Sequence, residues 1–328
     1  MRLKAPLIIG SVLSLAGAGL MYFNFDNANF NLAVDGRRLK TVDVRKQSQT
    51  YNQNDIERLN LNVKDQQINV REGDSNKWIV KTISYDGKQP SVELKNKQLN
   101  VTANNMNNNF VMTTGNGEFH FSSSSYDEGT GNAMTIIAPK GVKIKNINVT
   151  GDDGGIVLDK LHAAQTKVSL TDGGVRMSDF TGGNFDYHGE DGRIALDDVN
   201  LKRMKVVGKD MHIEGSGLKL QMASQIKLAD GNVRIDRIKV PGFNLHTDND
   251  ISFNQSEDDK KDGFYVKRSK NAVKRGNQTQ ALTINAEDAH LTLSQYKGLP
   301  DENDYSGDDY SDEDSDDTTD DTTDSTEN

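Results

Sequence analysis

Cysteine is absent from this 328-residue chain. That excludes disulfides, iron–sulfur clusters, cysteine nucleophiles, thiolate zinc sites and anchoring through a lipid-modified N-terminal cysteine. An exported protein without cysteine fits organisms that do not rely on oxidative folding, a hint of a Gram-positive source. Aromatic residues make up 6% of the chain, with one tryptophan, Trp78. Apolar residues make up 34%, against a usual ~45–50% on a count that includes glycine. A compact two-layer enzyme of this length normally needs more. An elongated fold of thin coils needs less, because each coil buries only the inward side of its strands. After residue 24 no segment keeps a 3.6-residue apolar period over three turns, so the body is expected to be nearly all β.

Charge is present but segregated. Residues 301–328 hold 14 of the 49 acidic residues and no Lys or Arg, which leaves 35 acidic against 39 basic residues elsewhere. The body is therefore near +4 and the tail strongly acidic. Such a low-complexity acidic stretch cannot bury enough surface to offset its ordering entropy, so residues 295–328 are expected to be a disordered tail.

At the other end Arg2 and Lys4 precede an uncharged run, Ala5–Phe23. Nineteen residues of helix rise roughly 28 Å, close to the ~30 Å hydrocarbon core. The run is read as a single-pass helix through the bilayer at residues 5–23. Positive charge on the short side sets the N-terminus inside and the body outside the cytoplasm. The competing reading is a cleaved signal sequence, with Leu7–Leu15 as its apolar region and Ala16-Gly17-Ala18 as the cleavage site. Both readings imply export. The domain reading is 1–24 anchor or signal, 25–54 polar stalk, 55–294 repeat body and 295–328 tail. Within the stalk, QSQTYNQND at 47–55 is read as a linker.

Between Gly151 and Phe253 one phrase returns: GDDGGIVL, TDGGVRM, GEDGRIAL, GKDMHIEG, ADGNVRI and TDNDISF. Each is an Asp/Gly/Asn turn followed by apolar residues at alternate positions. The turn aspartates Asp153, Asp172, Asp191, Asp210 and Asp230 are spaced 19, 19, 19 and 20 residues apart. A period near twenty predicts a parallel β-solenoid with two short strands per coil, in which no repeat buries its apolar face alone. The first strands carry pairs such as Phe185/Tyr187 and Met204/Val206, and the second carry Ile156/Leu158 and Ile194/Leu196. A last coil is expected at Leu282/Ile284 and Leu291/Leu293, with room for one irregular coil before it. Serial stacking would make Asp153 to Asp288 on the order of 34 Å. Ser256–Gln280, rich in Lys and Arg, is read as a charged excursion from the ladder.

The body resembles a bacterial β-strand-repeat family of candidate adhesins, a domain of unknown function that includes LiaG-like membrane-anchored envelope proteins. The resemblance rests on IERLNLNVKDQQINVREGDSNKWIV, on KNKQLNVTA, and on AMTIIAPKGVKIKNINVTGDDGGIVL. In these a paired-strand entry leads through the turn Pro139-Lys140-Gly141 to the Asp/Gly repeats. It implies a non-enzymatic surface protein tied to adhesion or envelope stress, and supplies no catalytic residues.

Three kinds of site are candidates. The carboxylates of Asp153, Asp172, Asp191, Asp210 and Asp230 could hold Ca²⁺, but Asp and Gly also satisfy tight turns by themselves, and no coil carries the Gly-Gly-x-Gly-x-Asp calcium nonapeptide. His120, His162, His188, His212, His246 and His290 show no two-histidine metal spacing. Arg176, Arg193 and Arg234 are the loose candidates for a polysaccharide lyase or hydrolase, the enzymatic alternative. No Gly-x-Ser-x-Gly, Walker loop or dinucleotide fingerprint is present. The expectation is no catalytic site, no metal and no cofactor. Expected partners are the bilayer, cell-wall polymers, a host surface or another envelope protein, and not nucleic acid. The remaining alternative is an ectodomain that regulates a membrane stress-sensing partner.

Overall fold

The computed structural model describes residues 31–35, 38–41, 44–64, 66–85, 89–103, 110–115, 118–123, 134–255 and 266–295. The expected membrane span at 5–23 and the acidic tail lie outside these residues. Among the described residues no helix is long and apolar enough to cross a membrane.

The strands follow in order as β1 (Asn31–Asp35), β2 (Arg38–Thr41), β3 (Val44–Asn52), β4 (Arg58–Lys64), β5 (Gln67–Glu72), β6 (Lys77–Tyr85), β7 (Ser91–Lys95) and β8 (Gln98–Thr102). Then come β9 (Phe110–Gly115), β10 (Glu118–Ser123), β11 (Met134–Ala138), β12 (Lys143–Asp152), β13 (Gly155–Asp159), β14 (His162–Thr171), β15 (Gly174–Ser178) and β16 (Thr181–Glu190). The last are β17 (Arg193–Asp197), β18 (Asn200–Lys209), β19 (Met211–Ser216), β20 (Lys219–Leu220), β21 (Ser224–Ile238), β22 (Gly242–Gln255), β23 (Val266–Gly276) and β24 (Leu282–Gln295). β1, β2, β9 and β10 form a small antiparallel sheet, and the other twenty are joined in one continuous open sheet.

The repeat fixes the register. Val149 pairs with Val168, Val168 with Tyr187 and Tyr187 with Val206, all parallel. On the other side of the coil Ile156 pairs with Val175, Val175 with Ile194 and Ile194 with Ile213. Each coil thus has a long strand (β12, β14, β16, β18) and a short one (β13, β15, β17, β19), and each row of inward side chains meets its own copy one coil away. Alternation places every second side chain inside, and the inward residues of all coils belong to one continuous core from Ile56 to Leu293. Phe180, Phe185 and Phe243 are the largest of its fully buried side chains in the repeats.

Antiparallel strands close the N-terminal end. β6 runs antiparallel to β11 and brings the buried Trp78 over the core, its indole N–H donating to the Gln53 carbonyl at 3.2 Å. β3 then pairs along the whole of β6, so the stretch expected as a linker at 47–55 is instead strand followed by a short 3₁₀ turn. Its polar sequence suits an outermost strand, where only Tyr51 packs on the core. On the long-strand side β7 and β8 form a hairpin through Asn96 and Lys97, both at positive φ (49° and 59°), the backbone of a type I′ turn.

Spatial order departs from chain order at the C-terminal end. β24, expected as the final coil, lies between β21 and β22 and is parallel to both. Among the described residues β23, antiparallel along β22, stands where the irregular coil was expected. Asp288 therefore stacks directly on Asp230. Five coil steps separate Asp153 from Asp288, about 24 Å at the usual strand spacing rather than 34 Å.

Candidate functional site

The aspartate ladder is where a site was first expected, and its geometry is that of a corner. Asp153, Asp172, Asp191 and Asp210 have φ of 47°, 49°, 46° and 50°, the left-handed region that Asp tolerates better than most residues. The N–H groups of Asp153, Asp172 and Asp191 donate to the carbonyls of Thr171, Glu190 and Lys209 in the next coil, at 3.0, 3.2 and 3.1 Å. The glycine that follows each is required by close stacking: a Cβ on Gly173 or Gly192 would sit 2.5 Å from the carbonyl oxygen of Gly154 or Gly173. Asp230 differs, for there the left-handed residue is Gly231 at φ 131°. At Asp210 the following glycine is replaced by buried Met211, whose sulfur accepts from the Tyr187 hydroxyl at 3.9 Å. Burial at the corner, and then the neighbouring Asp191 and Asp153 charges, hold the Asp172 carboxyl above its ordinary 3.8. Among the described residues no group of three or more His, Asp or Glu side chains is placed to hold a metal ion.

A second corner ladder closes the other side of each coil and was not read from the sequence. Lys160, Asp179, Asp198, Gly217 and Arg237 all have φ between 47° and 74°. The first four donate their N–H to the next coil at 2.9–3.0 Å. Each is followed by a buried apolar residue: Leu161, Phe180, Val199, Leu218 and Ile238. The phrases DKL, SDF, DDV, SGL and DRI are too unlike one another to show as a motif, although the 19-residue step of the apolar partner was available.

The short-strand face holds a shallow groove of about 570 Å³ floored by Gly174, Ala195 and Gly215. Arg176, Arg193 and Arg234, scattered in sequence, all line it. Their charges are met there. The Arg193 guanidinium donates to Glu214 Oε1, His212 Nε2 lies 3.3 Å from Glu214 Oε2, and Arg234 Nε lies 4.0 Å from Asp236 Oδ2. Burial raises the Glu214 carboxyl, but the hydrogen bonds from Arg193 and then His212 outweigh it and the net shift is downward. With Asp197 also on the rim, three guanidinium groups face three carboxylates. At the aspartate ladder Lys209 Nζ lies 3.8 Å from Asp210 Oδ2, whereas Arg193 and Arg234 lie against Glu214 and Asp236.

The long-strand face has the opposite balance. In β12 to β21 its exposed cations are Lys143, Lys145, Lys167, Lys202, Arg203, Lys205, Lys209, Lys219 and Lys227, against the carboxylates of Asp152, Asp186 and Glu190. Lys145 is engaged by Glu57, which also takes Lys97, at 2.6 and 2.7 Å; these two hydrogen bonds draw the Glu57 carboxyl down to about 2. A trough of about 830 Å³ crosses the face, lined by Lys167, Arg203, Lys205, His188 and Asp186, with Asn60, Asn148, Thr150 and Ser169 adding amides and hydroxyls. Of the histidines, His188 and His212 lie on opposite faces, His162, His246 and His290 are exposed elsewhere, and the side chain of His120 lies outside the described residues.

The Toastrack DUF4097 family model matches residues 56–244, more than half of the chain. The chain belongs to the Toastrack family. The match begins at Ile56, the first core residue before β4, and ends within β22, so the Toastrack region contains the two corner ladders and both troughs but not β24. No curated protein matches the chain. A similar solved structure is that of a candidate cell adhesion protein from Clostridium sporogenes ATCC 15579. It is 15% identical over 77% of this chain and 100% of that one, with a TM-score of 0.30.

Proposed function

We propose that this Toastrack chain is an exported, membrane-anchored surface protein that binds or scaffolds envelope material and does not transform it. The carrying observation is the in-register outer surface of the solenoid. A side chain on one coil recurs on the next at the strand spacing of ~4.8 Å, which gives a rigid, repeating, polar face suited to an extended partner. Short corners support the same reading, since a coil that turns in two residues leaves no long loops to wall a cleft for chemistry. Export rests on Arg2, Lys4 and the apolar run at 5–23. Family membership gives the architecture and carries no activity of its own.

The test is protease treatment of intact cells making the full chain with a small N-terminal tag. The expected result is digestion of the body, with the tag protected in the membrane fraction. A body released whole into the medium would replace the anchor with signal cleavage. A body resistant in intact cells and digested only after lysis contradicts export.

A further inference from the structure

We propose that the trough on the long-strand face binds a linear phosphodiester-linked polyol polymer of the cell envelope, through Lys167, Arg203 and Lys205. The proposal deepens the binding reading above and depends on it. Both faces of the solenoid carry basic residues, but in different states. On the short-strand face Arg193 and Arg234 lie against carboxylates. On the long-strand face the side chains of Lys167, Lys202, Arg203 and Lys205 have no hydrogen-bond or ion-pair partner among the described residues. The one carboxylate in their midst is Asp186, in register between Lys167 and Lys205. Three cations to one carboxylate leave the trough positive, and that charge is not spent on folding contacts.

Shape and donor type narrow the ligand. Lys167 lies two coils from Arg203 and Lys205, with Asp186 on the coil between, and β18 adds Lys202 and Lys209 along its own length, so the charge forms a strip rather than a point. A strip selects a polymer with repeating anionic groups. Guanidinium, ammonium, amide and hydroxyl donors suit phosphate oxygens. Tyr187, the one Phe, Tyr or Trp lining the trough, is buried beneath it, so no phenol, phenyl or indole ring is offered for stacking on a sugar or a base, and the imidazole of His188 is the one ring on its surface. That favours a polyol phosphate over a glycan or a nucleic acid.

The probe is synthetic poly(glycerol phosphate), titrated against the purified full chain. The triple variant Lys167→Gln/Arg203→Gln/Lys205→Gln should bind at least about tenfold more weakly, and wild-type affinity should fall with added salt. Arg176→Gln/Arg234→Gln on the other face should leave binding unchanged. Because all three trough side chains are exposed, the triple variant should melt within about 1 °C of the parent, as expected for surface changes. Equal binding by the triple variant and the parent overturns the proposal, as does tighter binding of a single-stranded oligonucleotide of equal charge. Retention of both chains on isolated walls alongside equal polymer binding leaves the general binding role standing and removes only this site. Loss of wall retention by both removes the role as well.

Discussion

At the scale of single residues, the left-handed aspartates tie sequence most directly to fold. Asp191→Asn should be tolerated, because Asn also adopts positive φ, whereas Asp191→Val should cost about 1–2 kcal/mol through backbone strain alone. Denaturant midpoints of the two variants separate turn chemistry from a need for the carboxylate. Two charged groups give opposite pH signatures. Asp172 has a raised folded pKa, so its charged form opposes folding; the effect is absent below the unfolded value near 3.8 and grows as pH rises through the folded value. Asp172→Asn should therefore be the more stable chain near pH 7, with the gap closing near pH 3. Glu57 has a lowered folded pKa, so its contribution is full above the ordinary 4.5 and is lost as pH falls through about 2. Glu57→Gln should be less stable near pH 7, with the difference shrinking below pH 4.5 and vanishing only below about pH 2. In the core, Thr166 stands in register between Ile147 and Phe185 with its hydroxyl buried and unpaired. Thr166→Val should gain about 1 kcal/mol in chemical denaturation.

At the scale of elements, the repeats were legible and the exceptions were not. Ile156, Val175, Ile194 and Ile213 share one step, and that step alone places them in one buried row. QSQTYN at 47–52 has almost no apolar alternation and so resembles a linker; as part of the outermost strand β3 it owes its pairing to the neighbour, not to its own burial. The position of β24 could not be read because strand order is a long-range choice. Its Leu282, Ile284, Leu291 and Leu293 fit any parallel layer, and Thr247 helps fix the chosen one by donating to the Glu287 and Ala289 carbonyls at 3.0 and 2.7 Å. Hydrogen exchange distinguishes the two orders. Amides of β24 should be protected like those of β15 and β17, and more than those of β23; exchange of β24 at the rate of an edge strand contradicts its interior place. Likewise Phe185→Ala, at the centre of three stacked coils, should cost about 3–5 kcal/mol.

At the scale of the whole molecule, length, charge and family point the same way. Coils that touch only their neighbours make a rod whose outer faces are free for contact. The two faces differ in kind: one pairs Arg193 and Arg234 with carboxylates, the other leaves Lys167, Lys202, Arg203 and Lys205 without a partner among the described residues. Composition showed a mildly basic body, but not that the excess gathers on one face, since that needs the 19-residue register together with the direction of each side chain. Nor could it show that Arg176, Arg193 and Arg234 would meet in one groove with matching acids. The central claim is that the solenoid holds envelope polymer without altering it. It is tested most directly by incubating the purified full chain with isolated cell walls, then measuring both the protein pelleted and the polymer ends released. The expected result is salt-sensitive pelleting with no new reducing or unsaturated ends. Accumulation of such ends in proportion to the protein, or failure of the chain to pellet at low salt, contradicts it.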